Sequence, residues 1–129
     1  MSSRTAVITN QAPKPGPLLS QAIISGGLVF TSGSLGIDPE TNQFVPGGTY
    51  ERAVKAFRNL DAVLKAAGSG LHKAVKVTIF LSSMEYYSEL NRAYADVFAD
   101  VEPKPSRTCV SVAKLPLDAE LEVEMVAAL

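Results

Sequence analysis

The first third of the chain alternates short apolar runs with polar punctuation at the spacing of strands. Residues 5–9, "TAVIT", are β-branched and short. In "QAIISGGLVFTSG" two apolar runs flank Ser25-Gly26-Gly27, a turn that tolerates positive φ, which predicts a hairpin. Residues 37–48, "IDPETNQFVPGG", are dense in Pro, Asp, Asn and Gly and read as a loop.

The period then changes. From Tyr50 to Ala67 the apolar residues Ala53, Phe57, Leu60, Leu64 and Ala67 recur at three- and four-residue steps, predicting a helix capped by Thr49 and ended by Gly68. In "AVKVTIFL" Val75, Val77, Ile79 and Leu81 alternate with Lys76, Thr78 and Phe80, as in a half-buried strand. A second helix is predicted from about Tyr86 to Phe98, with Tyr87, Leu90, Tyr94, Val97 and Phe98 inward; Pro103 and Pro105 bar its extension. "KPSRTCVSV" at 104–112 supplies a fifth strand, and "LEVEMVAAL" a last one, with Leu121, Val123 and Met125 on one face and Glu122 and Glu124 on the other.

The order β-β-β-α-β-α-β-β implies an α+β fold, a mixed six-stranded sheet with two helices covering one face. Alternation places Thr108, Val110 and Val112 on one side of the fifth strand and Arg107, Cys109 and Ser111 on the other. If the valines meet the helices, the Arg107 row looks away from them. A bare face carrying Phe80, Cys109 and Val126 beside Arg107 and Glu122 then calls for a cover, and association through it is expected.

Composition narrows the function. At 129 residues the chain fits a single domain, 1–129, and its 47% hydrophobic content supports an ordinary core. A mean hydropathy of +0.14 leans toward an oligomer. Twelve basic against thirteen acidic residues, net charge −1, provide no basic stripe, so nucleic acid is not the expected partner. One cysteine cannot form an internal disulfide, and one histidine, His72, does not make a His/Cys metal site, so no metal is expected. Neither a signal-peptide core nor a membrane-length apolar run is present, which predicts a cytoplasmic protein with no membrane partner; the Arg- and Ser-containing start leaves mitochondrial import open.

Arg107 and Glu122 are the charges that could carry chemistry. On a covered face they form either an interfacial ion pair or a working pair, in which the arginine fork binds a carboxylate and the glutamate holds a water. Cys109 reads as a small filler, with no histidine near it in sequence to activate it. His72 reads as a solvated loop residue, and Tyr86, Tyr87 and Tyr94 as core. Asn91 sits mid-helix, either exposed or turned toward a cleft. "TSGSLG" lacks the spacing of a phosphate-binding loop and reads as a strand end and turn.

Together these segments resemble the Rid family, also called the YjgF-like or reactive-intermediate deaminase family, over nearly the whole chain. "GPLLSQAI" from Gly16 is similar to the family's Gly-Pro-Tyr-Ser-Gln-Ala entry into the first hairpin, and "VFTSGSLGIDPET" to its Ser-Gly-Gln strand and loop. "HKAVKVTIFL" and "YYSELNRAYADVF" resemble its Val-Val-Lys-Thr strand and Asn-containing helix. "KPSRTCVSVAKLPLDAELEVEMVA" carries the specific signature, an arginine and a glutamate at matched spacing around an Ala-x-Leu-Pro turn.

The resemblance implies a chorismate-mutase-like fold and a homotrimer with clefts between subunits. It further implies hydrolysis of 2-imino acids, or their 2-aminoacrylate tautomers, to 2-oxo acids and ammonia without cofactor or metal. Arg107 would bind the substrate carboxylate and Glu122 would position water and shuttle protons. Main-chain groups of Ser32, Gly33 and Cys109 would line the cleft, and Asn91 would add an amide. Two positions depart from the pattern: Leu18-Leu19 stand where the family has tyrosine, so Leu19 gives the cleft an apolar wall without a hydroxyl, and Ser34 replaces glutamine. Two other functions fit the same site: a trimeric module sensing a small carboxylate such as a 2-oxo acid, and the RNA-cleaving or translation-inhibiting role also attached to the family, which the net charge disfavours.

Overall fold

The two apolar runs around Gly26-Gly27 close into a hairpin. In the computed structural model, which describes residues 3–129, β2 (Ala22–Ser25) and β3 (Leu28–Thr31) pair antiparallel with Ser25 opposite Leu28. Gly26 and Gly27 hold φ of 62° and 79°, which a two-residue turn matching the twist of its strands requires. Met1 and Ser2, part of the start read for import, lie outside the described residues.

β1 (Thr5–Val7) extends the hairpin on one side and β6 (Leu121–Ala128) on the other. β4 (Ala74–Leu81) pairs with β6, and β5 (Ser106–Ser111) closes the far edge, giving the order β1-β2-β3-β6-β4-β5. Every pairing is antiparallel except β4 with β5. Parallel neighbours need a crossover, and α2 (Tyr87–Val97) is part of it.

α1 (Thr49–Ala66) starts one residue away from the expected cap. Gly48 is the N-cap and Thr49 the first helical residue; Glu51 Oε1 reaches back to accept the Gly48 N–H at 2.8 Å. At the other end Gly68, φ 89°, lets the Ser69 N–H reach Leu64 O at 2.8 Å and the Gly68 N–H reach Lys65 O at 3.0 Å. That double return satisfies carbonyls the helix leaves open.

The core lies between the helices and one sheet face. Val77, Ile79 and Leu81 of β4 and Leu121, Val123 and Met125 of β6 pack with Ala53, Phe57, Leu60 and Leu64 of α1 and Leu90 and Ala93 of α2. Phe57 meets Tyr94 and Phe98 edge-on, at centroid distances of 5.8 and 5.6 Å, and so joins the two helices. Tyr87, expected inward, is 40% exposed, and Ala93 takes the buried place on that stripe. Val75 is also outward, next to a register shift between Ala74 and Lys76.

One alternation runs opposite to expectation. β5 lies in register with β4, Val77 opposite Arg107 and Ile79 opposite Cys109. Val77 and Ile79 face the helices, so Arg107 and Cys109 do too, while Val110 is 41% exposed on the helix-free side beside Phe80. β5 is an edge strand, and its apolar residues on the open face do not mark the core. Glu122, opposite Phe80 on β6, does lie on the helix-free face, with Phe30, Phe80, Val110 and Val126.

Phe57→Ala should leave a void between both helices and the sheet and lower the unfolding free energy by about 3–5 kcal/mol, read as a lower urea midpoint. A loss below about 1 kcal/mol would show that the helices are not joined there.

Candidate functional site

Arg107 projects from β5 toward α2, where three side chains one helical turn apart receive it. Its Nη2 donates to Asn91 Oδ1. The guanidinium carbon lies 4.6 Å from the ring centre of Tyr94 and 5.8 Å from that of Tyr87, within cation–π range. Tyr94 stacks on Phe98 at 4.5 Å, so the arginine rests on a shelf fixed in the core. Among the described residues no carboxylate pairs with Arg107. A half-buried guanidinium that donates to Asn91 and reaches the Cys109 thiol, with its charge unmatched, is suited to hold a carboxylate through the rest of its fork.

Cys109 follows on the same side of β5, half-buried against the core. Burial pushes its thiol up, and the nearby Arg107 charge pulls the other way without overcoming it. A thiol held protonated is a poor nucleophile, in keeping with a filler role.

Glu122 belongs to a different group. The stretch after β3 is pinned to the start of β6 by Ser34 N–H to Val123 O, 2.7 Å, and Val123 N–H to Ser34 O, 3.0 Å. This lays Gly33 directly over the Glu122 side chain: a Cβ at Gly33 would stand 2.6 Å from Glu122 Cδ, so a larger residue there would push the Glu122 carboxyl out of its place. The Ser32 hydroxyl donates to Ser20 O at 2.6 Å and its N–H to Gln21 O at 3.0 Å, which fixes the loop carrying Leu19. Ser34, at the position of the family's glutamine, donates its hydroxyl to Ala56 O of α1 at 2.9 Å. Leu19, Ser32, Gly33 and Glu122 line one cavity of about 240 Å³. Burial raises the Glu122 carboxyl above the usual glutamate range, and the negative charge of Glu124 adds to the effect.

The expected site residues therefore form two half-sites. Arg107, Asn91 and Cys109 gather on the helix side at the edge of the sheet; Leu19, Ser32, Gly33 and Glu122 gather around the cavity, and Arg107 is not among its lining residues. The placement of Arg107 and Glu122 on one common face is corrected. They lie on opposite faces, two strands apart and three residues out of register, an offset of roughly 10 Å in each direction. Tyr94 and Tyr87 belong to the arginine shelf, although sequence reasoning assigned them to the core. Their steps of +3 and −4 from Asn91 are the signal that would have found them. His72 is exposed, and among the described residues no three His, Cys, Asp or Glu side chains gather to hold a metal ion.

Comparison with known proteins places the chain. Residues 9–129 match the model of the family described as Endoribonuclease L-PSP, and the chain belongs to that family. It is 44% identical to the RutC family protein UK114 of Drosophila melanogaster over 96% of this chain and 88% of that one. It is 37% identical to the chloroplastic Reactive Intermediate Deaminase A of Arabidopsis thaliana, covering 98% of this chain and 66% of the relative. The crystal structure of Escherichia coli TdcF with bound serine superposes with a TM-score of 0.91 at 30% identity, covering 97% of this chain and 98% of that one. The fold is accordingly the chorismate-mutase-like, YjgF-type fold. No helix among the described residues is long and apolar enough to cross a membrane.

Because Glu122 is both desolvated and repelled by Glu124, its titration followed by carboxyl carbon NMR should centre above the usual glutamate range. Glu124→Gln should move it down without restoring it fully. A midpoint in the ordinary range in the unmodified chain would contradict the buried setting of this carboxyl.

Proposed function

We propose that the protein hydrolyses reactive 2-imino acids to 2-oxo acids and ammonia, in clefts completed by a second copy of the chain. The observation that carries this reading is the Arg107 guanidinium, oriented by Asn91 and Tyr94 and without an acidic partner among the described residues. Glu122 supplies the complementary group, a carboxylate whose proton affinity is raised by burial. The relative named Reactive Intermediate Deaminase A supports the same reaction class.

The chemistry asks little of the protein. The protonated imine is already electrophilic at C2. With its carboxylate held by Arg107 of one copy, water attacks C2 while Glu122 of the adjoining copy takes the water's proton. That proton passes to nitrogen; Glu122, a carboxylate again, takes the remaining proton from the C2 hydroxyl as the C–N bond breaks to release ammonia, and the C2 oxygen is left as the carbonyl of the 2-oxo acid. Orientation and a base of raised pKa each contribute several kcal/mol. The reaction uses no cofactor.

Assembly follows from the same reading. The helix-free face exposes Phe30 and Val110 beside Phe80 and Val126, the kind of apolar surface that a second copy covers. A homotrimer would bring the open face near Glu122 of one subunit against the β5 edge of the next.

A binding-only module is the second reading, and the TdcF structure with bound serine favours it, because it shows a relative holding a small carboxylate. Cleavage of RNA, suggested by the family's description, finds little support: the open face sets Glu122 and Glu124 against Lys76, and anionic phosphates need the reverse balance.

An amino-acid oxidase generating 2-iminopropanoate or 2-iminobutanoate, coupled to ammonia detection, separates the two readings. The wild type should accelerate release and Arg107→Ala should not. Pyruvate binding with no rate effect would favour the sensor. Glu122→Gln should slow turnover by about 10²–10⁴-fold while leaving 2-oxo acid affinity within a few-fold; equal losses in both would contradict the water-activating role.

A further inference from the structure

The cavity beside Glu122 extends well past the reacting carboxyl. It runs from Gly33 and Glu122 to Leu60 and Val63 of α1, with Pro13, Leu19 and Leu35 on its walls. Its volume of about 240 Å³ equals roughly eight waters at about 30 Å³ each, so a methyl group would leave most of it unfilled. The hydrogen-bonding side chains around it are largely committed. Gln21 Nε2 donates to Thr9 O and Pro13 O, and its Oε1 accepts the Thr9 N–H. Ser32 donates to Ser20 O, Ser34 to Ala56 O, and Asn59 Nδ2 to Leu35 O and Ile37 O, while Asn59 Oδ1 is the one fully buried polar side-chain atom among the described residues left without a partner. What the walls offer an incoming group is therefore chiefly apolar surface.

Leu19 is the lining residue best placed to discriminate. It sits on an exposed loop, is 54% exposed, and borders both this cavity and the neighbouring one over Ile23 and Phe30. A large apolar side chain standing half in water gains by being covered.

We propose that Leu19 sets the side-chain specificity of the site, so that the protein prefers 2-imino acids with branched or extended apolar side chains of three or more carbons over the smallest ones. The proposal rests on the reading of the site given above. It assigns the imine carbon to Glu122 and the substrate side chain to the wall formed by Leu19, Pro13 and Leu35. A methylene enclosed in a hydrophobic pocket is worth about ten-fold or more in discrimination, and this wall, half open at Leu19, is expected to reach that factor over a whole branched side chain.

Calorimetric titration with 2-oxo acids, the stable products, tests this without relying on turnover. Wild type should bind 4-methyl-2-oxopentanoate at least about ten-fold tighter than pyruvate, and Leu19→Ala should shrink that ratio to within about three-fold, at unchanged thermal stability. Lys14 is the one cation among the cavity's lining residues, so 2-oxoglutarate is the third ligand. Equal binding of all three, tightest binding of 2-oxoglutarate, or a ratio untouched by Leu19→Ala overturns the proposal. Arg107→Ala run in parallel separates the two levels. Discrimination that depends on Leu19 while affinity ignores Arg107 overturns the carboxylate site and leaves the specificity wall standing; affinity that depends on Arg107 without discrimination does the reverse.

Discussion

The register of one parallel strand pair governs the site. β5 joins the sheet only through β4, with Arg107 beside Val77 and Cys109 beside Ile79. Because side chains alternate strictly between faces, a slip of one residue would carry Arg107 to the open face and bring Thr108 to the helices. The register as it stands delivers the guanidinium to Asn91 and Tyr94, and Tyr94 passes that placement to the core through Phe98 and Phe57. The arginine is positioned by the same aromatic cluster that joins the two helices.

The second constraint is the bridge between Ser34 and Val123. It draws the stretch after β3 across the start of β6, closes Gly33 over Glu122, and half-buries that carboxyl without an ion-pair partner among the described residues. An unpaired cation on one face and a desolvated, unpaired carboxyl on the other are both costly within a single chain. On the proposed reading a second copy would bring the two groups to one cleft, where the carboxylate of a small acid would meet the cation. Site and assembly would then be one physical problem, with the apolar open face as its third component.

Much of the fold was legible in the sequence because its periods are clean. The hairpin around Gly26-Gly27, the helix ended by Gly68, β4 from Val77 onward and β6 each carry a signal that tertiary context does not override; Val75, at the register shift of β4, is the exception. β5 was not legible in the same way. At an edge, Val110 can face outward without a folding cost that its own chain would report, and the arginine's stem and ring shelf make a helix-facing charge tolerable. Resemblance supplies Arg107, Glu122, Ser32, Gly33, Leu19 and Asn91 as candidates. Their division into two groups is not legible there, since it depends on which strand neighbours which and on which face each presents. Tyr94 was hidden for a related reason: it belongs to the core and to the site at once.

The central claim, that one copy supplies the arginine and another the carboxylate, is tested most directly by mixing two inactive variants. Arg107→Ala and Glu122→Gln chains, each nearly silent alone, are unfolded together, refolded at equal amounts and assayed for 2-imino acid hydrolysis. Random assortment around a closed ring leaves roughly a quarter of the clefts with both groups intact, and the account predicts that share of wild-type activity. Mixed assemblies as silent as either parent would contradict it, because the two residues would then have to act from the same chain.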